Sequence, residues 1–428
     1  MKKTVLLSLL IIATLHSQPK HKKPEWGHRS NGPAFNSQVL VIPAPDSSNF
    51  LYYTYRIPYN RLVFVRSGKD YSANLRVIVE VTDSSSELLE RNTRESKVVV
   101  DDYDLTNSNS HYLQGFLKFN VHGSFYRLTP VITDLNSQRE IPLKPEEIFL
   151  TSFKEAQIYN PIVINSGDYY CSEQKVLIIS NFGGSIPFSP ESYDLLIPVK
   201  DLETEKLFVT ITNRTDTLFS GVINSYFDSE LNIYDCDSRI VITEDENLTV
   251  TRNFKLLGIN ENLDEGPIVI IVSKSSEEVD TEFKRIVFWA DKPFSLRDPE
   301  IAIELLEFIE SEQVIANMLD KDEEEYPEVL KEYWAQYDPS PETVFNPIMQ
   351  EYYSRIDYAG KEFAPIGNKN GIATDRGRIY IRFGKPDKIE RTSNEQGNVV
   401  ETWIYSKKDM KFVFVDKKGT GSFTLIEG

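Results

Sequence analysis

Leu75-Arg76-Val77-Ile78-Val79-Glu80-Val81 repeats with a period of two: Leu75, Val77, Val79 and Val81 fall on one face, Arg76 and Glu80 on the other. Successive side chains of a strand leave the backbone on opposite sides, so this pattern specifies a strand with one buried and one wet face. Working outward, Val39-Leu40-Val41-Ile42, Leu62-Val63-Phe64-Val65 and Phe116-Leu117-Lys118-Phe119 are further short apolar runs. Pro43-Ala44-Pro45, Ser67-Gly68-Lys69-Asp70 and Asp83-Ser84-Ser85-Ser86 divide them with turn chemistry. With no helical period between them, these runs predict an antiparallel β-sandwich over residues 37–150, ending in a linker around Pro142 and Pro145.

The texture persists over residues 151–294, with strands predicted at 175–179, 207–212, 239–242 and 268–272. The run Ile268-Val269-Ile270-Ile271-Val272 is continuously apolar, which predicts a strand covered on both faces. Asn181-Phe182-Gly183-Gly184 reads as a turn. Two consecutive immunoglobulin-like β-sandwiches are the expected architecture of this part.

From residue 295 the period becomes helical. Asp298-Pro299-Glu300 combines a cap, a proline at the first helical position and an acid at the positive end of the dipole. Ile301, Leu305, Phe308, Ile309, Ile315 and Leu319 then share a face, making 295–326 a linking amphipathic helix with an acidic run at 320–325. A second helix is predicted over 327–336. A third opens at Asn346-Pro347 and carries the stripe Ile348, Tyr352, Ile356, Ala359, Phe363. Beyond Gly371, strands predicted at 379–383, 400–405, 411–415 and 422–425 complete an α+β domain over 327–428, helices on a four-stranded antiparallel sheet. The fold class is mainly β with a C-terminal α+β domain.

Composition bounds the function. The chain has 428 residues, room for two or three domains, and its 40% hydrophobic and 12% aromatic content excludes a wholly disordered chain. A net charge of −18 argues against nucleic acid as a partner. Two cysteines exclude a disulfide-dense scaffold and a four-cysteine zinc site. Cys171 and Cys236 lie in the same expected sandwich; they form either one bridge, contributing roughly 3–4 kcal/mol, or two free thiols, and geometry decides.

Lys2 and Lys3 precede an apolar run over 5–13, too short to span a bilayer and suited to a secretory signal peptide over 1–17. Residues 18–36 are expected to be a flexible basic tail. Without a cysteine near the cut, a lipid anchor is not expected, and no later segment has the apolar length of a membrane helix. The expected location is periplasmic or extracellular.

The histidines stand at 16, 21, 28, 111 and 122. Histidine-dependent catalysis or zinc binding is therefore excluded downstream of His122 on that region's own residues. Isolated histidines such as His111 and His122 are most often surface or satisfied core residues. Asp320-Lys321-Asp322-Glu323-Glu324-Glu325 lacks the central glycine and closing glutamate of a calcium loop. Asp101-Asp102-Tyr103-Asp104 with Asn107 and Asn109 has better oxygen spacing, yet a turn explains it. No glycine-rich phosphate loop or nucleophile elbow occurs, and no carboxylate pair stands out for glycoside hydrolysis. No catalytic, cofactor-binding or metal-binding residue is assigned, and no cofactor is expected.

Gly371-Ile372-Ala373-Thr374-Asp375-Arg376-Gly377-Arg378-Ile379-Tyr380-Ile381-Arg382-Phe383-Gly384-Lys385-Pro386-Asp387 resembles the GWxTD domain of exported bacterial proteins. Tyr333-Trp334 and 351–356 upstream, and Glu401-Thr402-Trp403 and 412–416 downstream, extend the resemblance. Ile372 occupies the place of the family's tryptophan. The resemblance implies a bacterial envelope protein, secreted or lipid-anchored in many members, and names no activity. Read directly, Thr374-Asp375-Arg376-Gly377 and Gly384-Lys385-Pro386-Asp387 are turns, the first leading into a strand at Ile379. The alternative makes Asp375, Arg376 and Arg378 a polar binding edge. The expected function is a non-enzymatic envelope module that binds a protein partner, with a carbohydrate-binding or carbohydrate-active protein as the alternative; oligomeric state is not legible.

Overall fold

The computed structural model describes residues 35–428 apart from 47, 152, 154–156, 215, 246–247, 276–280 and 368–369. The expected signal peptide and nearly all of the expected basic tail lie outside the described residues.

The first β region comprises β1 (Asn36–Pro43), β2 (Asn49–Pro58), β3 (Val65–Ser67), β4 (Asp70–Thr82), β5 (Leu88–Val100), β6 (Tyr112–Val121), β7 (Phe125–Asp134), β8 (Arg139–Pro142) and β9 (Glu146–Phe149), with one short helix, α1 (Tyr103–Thr106). Residues 75–81 form the middle of β4, and Val77 and Val79 are fully enclosed, as their alternation requires. One sheet has the order β1-β2-β6; the other runs β3-β4-β7-β8, with β5 on β4 and β9 on β7. Pro142 and Pro145 do not mark a linker: β8 and β9 both pair with β7, each proline sitting at the margin of a short strand where its missing N–H costs no ladder bond.

The second region comprises β10 (Ile162–Asn165), β11 (Tyr169–Cys171), β12 (Gln174–Ile178), β13 (Ile186–Pro187), β14 (Tyr193–Val199), β15 (Leu207–Thr212), β16 (Thr217–Ile223), β17 (Tyr226–Cys236), β18 (Arg239–Asp245), β19 (Thr251–Leu256), β20 (Gly266–Ser273) and β21 (Thr281–Phe288). A seven-stranded sheet has the order β10-β14-β19-β17-β18-β12-β11, and a five-stranded sheet the order β13-β21-β20-β15-β16. β13 runs parallel to β21. Cys171 and Cys236 form a disulfide with their Cα atoms 6.2 Å apart.

Burial on both faces occurs in β1 and β2 rather than where the continuous run predicted it. Val39, Val41, Leu51, Tyr53 and Tyr55 enter one core with β4 and β7, while Leu40, Ile42 and Tyr52 enter a second core with Ile164, Leu196, Leu231 and Ile242. The β1-β2-β6 sheet is thus shared between the two regions. In β20 the apolar residues Ile268, Ile270 and Val272 are buried, with Ser273 at the strand's end; Val269 and Ile271 stay half-exposed on the sheet's outer face.

Asp298 caps α2 (Pro299–Glu304) by accepting from the N–H groups of Glu300 and Ile301. The expected single amphipathic helix then breaks: a 3-10 turn at Leu305–Phe308 precedes α3 (Glu312–Leu319). α4 (Tyr326–Ala335) and α5 (Pro347–Glu362) follow as predicted, except that Ile348 is 42% exposed and Tyr353, outside the expected stripe, is buried alongside Tyr352. The run 379–383 is not a strand. It lies in α6 (Asp375–Phe383), and the four-stranded antiparallel sheet is β22 (Lys388–Ser393), β23 (Val399–Tyr405), β24 (Met410–Asp416) and β25 (Phe423–Glu427). Gly377, Ile381 and Gly384 are buried at helical spacing, and that periodicity overrides the strand preference of the Ile-Tyr-Ile run.

By packing, the described residues up to Arg297 group with Asp320–Ser354, and Asp298–Leu319 groups with Arg355–Gly428. In the second unit, Phe363, Tyr380 and Phe383 cover the sheet face bearing Trp403, Tyr405, Phe412 and Phe414.

Candidate functional site: the residues around Thr374 and an aromatic cleft

Thr374 is a helix cap, not a turn into a strand. Its hydroxyl accepts from the Gly377 N–H at 3.0 Å and donates to the Gly371 carbonyl at 2.7 Å. A Cβ on Gly377 would collide with that same carbonyl oxygen, and one on Gly371 with the carbonyl of Ala359, so both positions require glycine for close approach. Ile372 is buried between them in sequence. Asp375 does not hold a turn: it opens α6, and its Oδ2 accepts from the Leu425 N–H at 2.8 Å, fastening the helix to β25.

Arg376 points inward. Its Nη1 lies 3.5 Å from Glu401 Oε2, its Nη2 donates to the Gly421 carbonyl, and its guanidinium stacks over Phe423 at 4.0 Å. Burial lowers the Arg376 pKa from its ordinary value, with Glu401 pulling the other way. Glu401, 1% exposed, also accepts from Arg391 Nε at 3.1 Å and from Trp403 Nε1 at 2.6 Å. Trp403 is as enclosed as Glu401 and packs against Phe363 and Phe414. Of the proposed polar edge, only Arg378 is exposed. Tyr380 stacks on Tyr358 at 4.6 Å. Gly384 ends α6 at φ 80°, and its carbonyl accepts from the Tyr405 hydroxyl. Pro386 is buried, and Asp387 accepts from the Ser406 N–H at 2.7 Å.

Residues 271–426 match the model of the GWxTD domain family. The chain carries a GWxTD domain. Within it, Arg376 and Trp403 meet at Glu401, and Thr374 bonds Gly371 and Gly377. Sequence reasoning missed Glu401 as the partner of Arg376, because nothing local links positions 25 residues apart. No curated protein matches the chain. Among solved structures, the BSP domain of a biofilm associated protein matches with 8% sequence identity and a TM-score of 0.17, covering 62% of this chain and 53% of that one. The chain thus spans about half the length of that relative, and so loose a superposition defines no common fold.

A second site is a cleft of about 640 Å³ between the two β regions. Arg56 from β2 is clamped between the rings of Tyr112 and Phe182, at 3.6 and 3.7 Å. Its Nη1 donates to the Ser180 carbonyl at 2.8 Å, its Nε has no partner among the described residues, and burial lowers its pKa. Tyr169, Glu191 and Asp237 line the same space. The segment 181–184, read from sequence only as a turn, supplies one wall of the clamp. His111 lies at the edge, its Nδ1 2.8 Å from Ser108 Oγ, and His122 is exposed. Among the described residues no three His, Cys, Asp or Glu side chains converge as a metal site would need, and no helix is long and apolar enough to cross a membrane.

Proposed function

We propose that this protein is exported to the bacterial cell envelope and acts by binding a protein partner rather than by catalysis. The observation that carries this reading is β16, the outer strand of the five-stranded sheet, bonded among the described strands to β15 alone. Its sequence, Thr-Leu-Phe-Ser-Gly-Val-Ile, contains no charge and no proline, and Val222 is 54% exposed. Edge strands are commonly blunted by lysine, proline or bulges; here a bulge occurs only at the turn end, beside Thr212. An open edge of this kind offers main-chain donors and acceptors to an added strand, with side-chain contacts for specificity. The Cys171–Cys236 bridge supports an oxidising compartment. The order β13-β21-β20-β15-β16, with β13 parallel to β21, supports an immunoglobulin-like reading of residues 151–294. The same proposal divides the chain into sandwiches at 37–150 and 151–294, a linking segment at 295–326 and a C-terminal domain at 327–428.

A photo-crosslinker placed at Val222 in cells should give one discrete adduct with an envelope protein, and Val222→Lys should abolish capture of that protein without lowering Tm. Retained capture by the lysine variant would remove the reading. A second reading, carbohydrate binding, is favoured by the aromatic cleft, where Tyr112, Phe182 and Tyr169 stand near Glu191 and Asp237. A glycan array decides it: binding lost on Tyr169→Ala supports it, and an empty array excludes the sugars displayed.

A further inference from the structure

β16 is self-complementary about its central residue, Ser220. Thr217 matches Ile223 as a β-branched residue, Leu218 matches Val222 as an aliphatic one, and the large Phe219 matches the bare Gly221. The register with β15 fixes the faces. Phe219, Gly221 and Ile223 lie opposite the fully enclosed Ile211, Val209 and Leu207, hence on the inner face. Ser220 and Val222 lie opposite Thr210 and Phe208, on the outer face. Leu218 is the residue of the bulge and is half-buried. The Phe219 ring leans over Gly221, where an added Cβ would stand 2.8 Å from it. The opposite edge of the sheet, β13, is two residues long and ends in a proline, so it offers no comparable length of open backbone.

We infer that β16 pairs antiparallel with β16 of a second copy of this chain, about a two-fold axis at Ser220. This names the partner of the edge proposed above and rests on that reading. An axis perpendicular to the sheet keeps outer face with outer face, so it must pass at a residue, and only Ser220 gives full overlap of the two strands. Ser220 then meets Ser220, a hydroxyl pair able to share a hydrogen bond. Phe219 meets Gly221 on the inner face twice, and Val222 meets Leu218 at both ends. An aromatic ring opposite a glycine restores the cross-strand packing that the glycine lacks. Each copy carries a net charge of −18, so association needs a surface that sets no like charges together, and no position of β16 is charged. Just beyond the strand the charges are complementary. The axis carries Asp216 of one copy to the strand end where Lys206 of the other precedes Leu207, the partner of Ile223. The pairing would join the two five-stranded sheets edge to edge. A seven-residue edge is smaller than a standard interface, so association in the micromolar range is expected.

The test is sedimentation of the whole protein over a concentration series at physiological ionic strength, alongside Ser220→Lys and Ser220→Glu. The native chain of 49.2 kDa is expected to associate reversibly to twice that mass. Each charged variant alone should weaken association by more than about tenfold, because the charge would meet itself on the axis. An equimolar mixture of the two should restore it. Ser220 is exposed, so neither change should move Tm. A photo-crosslinker at Val222 should attach to Leu218 of the second copy. A protein that stays monomeric up to about 100 µM, an association that both single variants retain, or a mixture no stronger than either variant would each overturn the inference. A monomer whose Val222 crosslinker captures a different protein would end the self-pairing and leave the open-edge reading standing. No adduct of either kind would remove both.

Discussion

At the scale of single residues, Gly377 and Glu401 show how the GWxTD residues spend their chemistry. Alanine for glycine inside a helix ordinarily stabilises by about 1 kcal/mol. At Gly377 the sign should reverse, because the new Cβ meets the Gly371 carbonyl that Thr374 also holds. Gly377→Ala should therefore destabilise by about 1–3 kcal/mol, measured as a lower denaturation midpoint of the whole protein. An unchanged or higher midpoint would mean that the loop before α6 yields. Glu401→Ala should cost more, about 3–5 kcal/mol, since Arg376 would stay buried with its partner gone. Replacing both partners, as Arg376→Met/Glu401→Leu, should be milder than Glu401→Ala alone. If all three variants melt alike, the pair has no structural weight. The glycines, Thr374 and Asp375 were legible as backbone-controlling residues; their setting was not. Ile379, Tyr380 and Ile381 favour a strand locally, and only the burial of Gly377, Ile381 and Gly384 at helical spacing reveals the helix.

At the scale of elements, the β24–β25 turn rests on one carboxylate. Asp416 accepts from the N–H groups of Lys418, Thr420 and Gly421. Burial by itself would raise its pKa, yet these backbone bonds outweigh it and hold the group below its usual value. A folded pKa below the unfolded one means stability that is present above the ordinary aspartate value and lost as pH falls through the folded pKa. Asp416→Asn should melt lower than the native protein at pH 7, and the gap should close as pH falls through the folded pKa. A gap that is constant with pH would show that the turn does not depend on the charge. Strand existence was largely readable from alternation, as at 75–81. Which strands were covered on both faces was not: β1 alternates little differently from β20, and only the second core, formed with strands over a hundred residues away, distinguishes them.

At the scale of the molecule, two cysteines 65 positions apart could be assigned to one region from sequence, but their pairing could not, because it depends on which hairpin tips meet. Cys171 ends β11 and Cys236 ends β17, so the bridge joins the β11–β12 hairpin to the β17–β18 hairpin within the seven-stranded sheet. β11 is the outermost strand of that sheet and pairs with β12 over only three positions, too little to hold it firmly by ladder bonds. The bridge supplies the missing restraint, and a closed loop of this length corresponds to about 4 kcal/mol in the chain-entropy account. Cys171→Ala/Cys236→Ala should therefore lower stability by about that amount, and reductant should lower the Tm of the native protein but not of the variant. Amide exchange adds a spatial test: protection should fall first at Tyr169–Cys171 and Gln174–Ile178, while β14, buried along its whole length, should keep its protection. Tyr169 also lines the aromatic cleft, so opening β11 should weaken any ligand held there and leave the protection of β14 unaffected. Equal loss at both places would mean that the bridge stabilises the β body as one cooperative unit rather than bracing one edge of it.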